Sequence, residues 1–132
     1  MTFSVTARCA DTGQLGIAIS SSSIAVGARC PWLQAGVGAV SSQNITLPLL
    51  GPLTLAGLEK GAGAEEALSQ ALARDEFSAW RQVTVIDAAG GTAAWSGEHT
   101  LGTYHVAHGV CLLYTSPSPR DLASDRVCRL HL

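Results

Sequence analysis

Strands grouped on either side of a helix pair predict an α+β fold, and three observations carry that prediction. Two stretches at the start alternate apolar and polar residues around a turn. Two helical patterns then follow one another, and a second alternating pair closes the set. At 132 residues, with 47% hydrophobic and 14% charged residues, the chain suits one hydrophobic core and is not of disordered composition.

Phe3, Val5 and Ala7 alternate with Thr2, Ser4, Thr6 and Arg8, the period of a strand with one packed face. Asp11-Thr12-Gly13-Gln14 supplies turn chemistry, and residues 15–20 resume as a second strand, completing a hairpin. Hydroxyls from Ser20 through Ser23 close that strand, and residues 24–33, containing Pro31 and Trp32, read as a connection. Residues 36–41 form a short apolar third strand.

Gly51-Pro52 opens a helix with Pro at its first position, and Leu53, Leu55, Ala56 and Leu58 lead to a stop at Gly61. A second helix spans residues 64–74, with Ala64, Ala67, Leu68, Ala71 and Leu72 on one stripe and Glu65 and Glu66 in its first turn. That stripe is expected to lie on the outer face of a sheet containing the first two strands, leaving Glu65, Glu66, Ser69 and Gln70 to solvent. Residues 81–87 and 92–96 form a second hairpin around Ala88-Ala89-Gly90-Gly91.

Charge narrows the functional classes. The net charge of −2 leaves no basic face for nucleic acid and no polybasic membrane anchor. Between Thr12 and Leu58 the only charged side chain is Arg29, so this stretch is expected in a central sheet or a subunit interface. Pro31, Pro48 and Pro52 interrupt it, and no apolar run reaches the roughly 18 residues of a membrane span. The start lacks a signal-peptide pattern, which makes the expected location cytoplasmic.

Cys9, Cys30, Cys111 and Cys128 show no metal-ligand spacing, so reduced structural cysteines and no metal or cofactor are expected. Asp11-Thr12-Gly13 matches the aspartic-protease triplet but occupies a turn where Asp and Gly have structural reasons. Gly36-x-Gly38 lacks the third glycine of a dinucleotide fingerprint. His99, His105 and His108 read as loop residues.

From Cys111 the pattern changes. Leu112 through Asp121 shows neither strand nor helix period and has two prolines in three residues. It resembles translated sequencing-adapter read-through, with an ordinary flexible tail as the other reading. The expected division is therefore residues 1–110 as the domain and 111–132 as a tail, with residues 114–132 making few contacts to the core.

The ordered set Met1-Thr2-Phe3-Ser4, Ala7-Arg8, Gly16-Ile17-Ala18-Ile19 and Ser20-Ser21-Ser22-Ser23, followed by Cys30-Pro31-Trp32, Gln43-Asn44, Leu50-Gly51-Pro52 and Arg81-Gln82-Val83, resembles the DUF1028 family. The family is assigned to the Ntn-hydrolase superfamily, and the resemblance covers about residues 1–110. It implies an αββα sandwich whose strands are buried on both faces, and an N-terminal portion of a longer fold, since family members run further.

The same resemblance gives the Met-Thr start a meaning. Removal of Met1, which a residue as small as Thr2 permits, leaves a free amine beside the Thr2 hydroxyl, so that one residue is nucleophile and general base. Gln43, Asn44 and the amides around Gly51 are candidate oxyanion donors because they follow a central strand. Ser21, Ser22 and Ser23 are candidates to contact the amine or substrate. The other reading of the serines is a polar strand end, and that of Gln43 and Asn44 is satisfaction of a turn. The expected activity is hydrolysis of an amide or related C–N bond of a small molecule by a homo-oligomer. The competing class is a non-catalytic, self-associating binding or structural protein.

Overall fold

The computed structural model describes residues 2–102, 104–109 and 112–116. They form two four-stranded antiparallel sheets and two helices, an α+β chain as expected. The first sheet has the order β2-β1-β8-β7 and comprises β1 (Thr2–Arg8), β2 (Leu15–Ser21), β7 (His105–Gly109) and β8 (Leu112–Ser116). The second, β3-β4-β5-β6, comprises β3 (Pro31–Gln34), β4 (Gly38–Asn44), β5 (Arg81–Asp87) and β6 (Thr92–Ser96). The sheets face each other, and α1 (Leu50–Glu59) and α2 (Ala64–Leu72) cover the far side of the second.

The first hairpin follows its alternation. Thr2 pairs with Ser21 and Arg8 with Leu15. Gly13, at φ 72°, closes the turn by donating its N–H to the Cys9 carbonyl at 2.9 Å. Asp11-Thr12-Gly13 is thus a turn, as read from the sequence.

The second sheet has two chemically different faces. Toward the helices, Val40, Val83, Val85 and Ala93 pack with Leu50, Leu55, Leu58, Ala67, Leu68 and Ala71 as the hydrophobic core. Each fully buried Leu or Val contributes about 1.5–3 kcal/mol. Toward the first sheet, the alternate residues Ser41, Gln43, Gln82 and Thr84 meet Ser4, Thr6 and Thr115, all buried, with Ala39, Ile86 and Leu113 among them. β4 and β5 are buried on both faces, but only one of those faces is apolar.

Several expectations are corrected. The α2 stripe buries Ala64, Ala67, Leu68 and Ala71 and exposes Glu65, Glu66, Ser69 and Gln70 as predicted, yet it packs on β5 and β6 instead of on the sheet of the first two strands. The helix pair arises from β4 and returns to β5 through short connections, which hold both helices over the strands they join. Helix α1 begins at Leu50, so Pro52 lies within the first turn, where its missing N–H would have no intrahelical partner. Residues 31–34, read as connection, form an edge strand whose Pro31 occupies the tolerated first position.

Two further strands were not predicted. His105 and His108 lie on β7, where His108 Nδ1 is 3.2 Å from Thr92 Oγ1, so they are strand residues. β8 is hydrogen-bonded between β1 and β7, with Leu113 and Thr115 fully buried. This overturns the expectation of few core contacts where residues 114–132 are described, at residues 114–116. The remainder of the expected tail, residues 117–132, lies outside the described residues, as do Cys111 and Cys128.

Candidate functional site

Period two places Thr2 on the same face of β1 as Ser4 and Thr6, at the end of the polar layer between the sheets. It is half-buried, and its hydroxyl oxygen lies 2.9 Å from that of its cross-strand partner Ser21. Ser21 Oγ also accepts the Ser23 backbone N–H at 3.0 Å. The Ser23 hydroxyl in turn accepts a hydrogen bond from Arg29 Nη2. Ser22 and Ser23 are exposed, and Ala25 beyond them sits in the left-handed region at φ 55°, turning the chain into a short 3₁₀ segment, Val26–Ala28. Thr2 and the serine run are therefore brought together.

Gln43 belongs to the polar layer from the opposite sheet. Its Nε2 donates to Gln82 Oε1 at 2.8 Å and to Thr115 Oγ1 at 2.9 Å, while Thr115 Oγ1 lies 2.8 Å from Ser4 Oγ. Gln82 Nε2 reaches Ser96 Oγ at 3.2 Å, which orients both carboxamides consistently. Both Nε2 hydrogens of Gln43 are thus committed, and among the described residues its Oε1 is buried without a partner, as are Ser41 Oγ and Thr84 Oγ1. An unpartnered carbonyl oxygen accepts and cannot donate, so Gln43 as placed does not supply an oxyanion hydrogen bond. This layer was not legible in the sequence. Its signal, the alternation of Gln82 and Thr84 with Val83 and Val85, means little until the opposite sheet is known to be polar too.

Asn44 and Gly51 have structural work. Asn44 adopts φ 72° and clamps Leu101 with both ends of its carboxamide, accepting from Leu101 N at 3.1 Å and donating to its carbonyl at 3.3 Å. Gly51 lies on α1, across the second sheet from Thr2, and gives its N–H to the Pro48 carbonyl at 3.2 Å. A Cβ there would come within 2.1 Å of the Trp32 ring. The structure does not bring Gly51 to Thr2.

One buried ion pair braces this end of the molecule. Arg81 Nε meets Asp75 Oδ2 at 2.7 Å, and Arg81 Nη1 donates to the Ile45 carbonyl at 2.7 Å. The Arg81 guanidinium holds the Asp75 carboxyl below its ordinary value, outweighing the opposing effect of burial. The pair ties the segment after α2 to the start of β5, and the Arg81–Ile45 contact adds the segment after β4. Elsewhere, a groove of about 660 Å³ runs between α2 and β6, floored by Leu68, Leu72 and Trp95 with Glu65 and His108 at its edge; none of the residues singled out around Thr2 lines it. Among the described residues there is no cluster of metal-ligating side chains, and no helix is long and apolar enough to cross a membrane.

These features define a two-sheet α+β protein with a polar layer between its sheets and a strand-terminal threonine at the end of that layer. The chain belongs to the DUF1028 family, a family of unknown function, whose model matches residues 2–114. It is similar to a DUF1028 protein from Silicibacter pomeroyi of known crystal structure, with a TM-score of 0.82 and 25% sequence identity over 86% of this chain and 51% of that one. The chain thus spans about half the length of that relative. No curated protein matches it.

Proposed function

We propose that the chain carries the nucleophile-bearing part of an Ntn-type hydrolase acting on an amide or related C–N bond of a small molecule. The observation that carries this reading is the Thr2 hydroxyl, at the head of a central strand, on the face of the polar layer and 2.9 Å from the Ser21 hydroxyl. Family membership supports it. With Met1 removed, the α-amine, with an ordinary pKa of about 7.7–8.0, takes the hydroxyl proton as Oγ1 attacks the carbonyl carbon. The C–N bond then breaks and the leaving nitrogen takes that proton. Water, deprotonated by the same amine, cleaves the acyl-Thr2 ester and regenerates the hydroxyl. Ser21 orients the nucleophile, and Ser22 and Ser23, which follow it, contact the substrate.

The reading is tested by the mass of the protein purified from cells and by trapping with p-nitrophenyl acetate. Loss of Met1, with one hydroxylamine-labile acetyl group on Thr2 that Thr2→Ala abolishes, supports it. Retained Met1, or equal labelling of Thr2→Ala, sinks it.

A second reading, a non-catalytic self-associating protein, is favoured by one observation. Both helices cover the second sheet, and Phe3, Val5, Ala7 and Ala18 face the other side of the first, away from the polar layer. Concentration-dependent mass in solution, with no trapping at Thr2, is the result that reading expects.

A further inference from the structure

We infer that Arg29 is an anion-recognition residue, and that the small molecule turned over at Thr2 carries a single carboxylate. Three observations place it there. Arg29 is the only charged residue between Thr12 and Leu58, so no carboxylate of that stretch neutralises it. Its side chain is exposed and makes no ion pair among the described residues. Its guanidinium is tethered toward Thr2 through Ser23 and Ser21, and the links of 2.9 and 3.0 Å plus ordinary hydrogen-bond and covalent spans keep it within roughly 12 Å of the Thr2 hydroxyl.

That distance is the reach of an amino-acid-sized molecule. One end can lie at the Thr2 hydroxyl while the other meets the guanidinium. The contact to Ser23 occupies one N–H of Arg29, leaving a planar fork of donors that matches the two oxygens of a carboxylate. Carboxylate is favoured over phosphate because one guanidinium fork matches and balances a single carboxylate. The Ser21, Ser22 and Ser23 hydroxyls can bridge the polar atoms between. The functional meaning of this assignment rests on Thr2 as nucleophile, but its test does not.

The test is a titration of the full chain, with Thr2→Ala to exclude turnover, by NMR or calorimetry. The probes are N-acetylglycine and its neutral counterpart N-acetylglycinamide. The acid should bind at least about tenfold more tightly than the amide, a preference of about 1.4 kcal/mol. Arg29→Gln should abolish the preference, and Arg29→Lys should retain part of it, because charge survives while the fork is lost. Raising salt should weaken the acid alone. Equal affinity for acid and amide, an unchanged preference in Arg29→Gln, or no detectable binding of the acid up to about 50 mM overturns the assignment. Unaltered melting of Arg29→Gln checks that the exposed substitution leaves the fold intact. If the acid binds through Arg29 but p-nitrophenyl acetate leaves Thr2 of the unmutated chain unlabelled, the anion site stands and the nucleophile reading falls; the reverse pattern sinks only the anion site.

Discussion

Thr2 and Ser21 face each other directly across the first hairpin, with hydroxyl oxygens 2.9 Å apart. Ser21 Oγ also accepts the Ser23 N–H, which fixes that oxygen beside Thr2. Ser21→Ala should therefore slow acylation of Thr2 by p-nitrophenyl acetate about tenfold through lost orientation, without preventing removal of Met1. Thr2→Ser should retain labelling. An unchanged rate in Ser21→Ala would show that the contact has no part in positioning the nucleophile.

The Asp75–Arg81 pair, with side chains 4% and 9% exposed, should make Asp75→Asn costly, by about 3 kcal/mol at neutral pH, because it strands a buried guanidinium. The sign of the pH dependence follows from the depressed Asp75 pKa. The pair's contribution is full above the unfolded carboxyl's ordinary 3.8 and disappears as pH falls through the lower folded value. Urea unfolding of both proteins from pH 7 to pH 2 should show the gap closing only below about pH 4.

The polar layer permits a sign test between two threonines. Thr115 Oγ1 contacts both Ser4 and Gln43, so Thr115→Val should cost about 1–3 kcal/mol by leaving those partners unpaired. Thr84 Oγ1 is buried with no partner among the described residues, so the isosteric Thr84→Val should raise stability by about 1 kcal/mol. Calorimetric melting decides. A destabilised Thr84→Val would mean that its hydroxyl is satisfied, and a neutral Thr115→Val that β8 does not anchor the first sheet.

Gly51 is present because α1 approaches Trp32 too closely for any side chain. Gly51→Ala should destabilise by about 2 kcal/mol, since its Cβ would meet the indole ring at 2.1 Å. Adding Trp32→Val should recover part of the loss, and a double-mutant cycle measures the coupling. Additive losses would remove the steric explanation.

Where hydrophobic period and turn chemistry coincide, local sequence determined the result. Phe3, Val5 and Ala7 with the Asp11–Gly13 turn specified the first hairpin, Ala64, Ala67, Leu68 and Ala71 specified the buried face of α2, and Val83 and Val85 specified β5. The proximity of Thr2 to the serine run followed from the same hairpin, because antiparallel register carries the head of one strand to the end of the next. Tertiary structure alone decided the rest. Pro31–Gln34 and Leu112–Ser116 are strands only because β4 and β1 offer them hydrogen-bonding edges, and neither segment's composition names its partner. Likewise, the destination of the α2 stripe depends on which sheet its connections reach, and Gln43 is tied to Ser4 only when the two sheets close on each other through Thr115. A periodic pattern records that a face must be covered, whereas the surface that covers it belongs to residues far away in the chain.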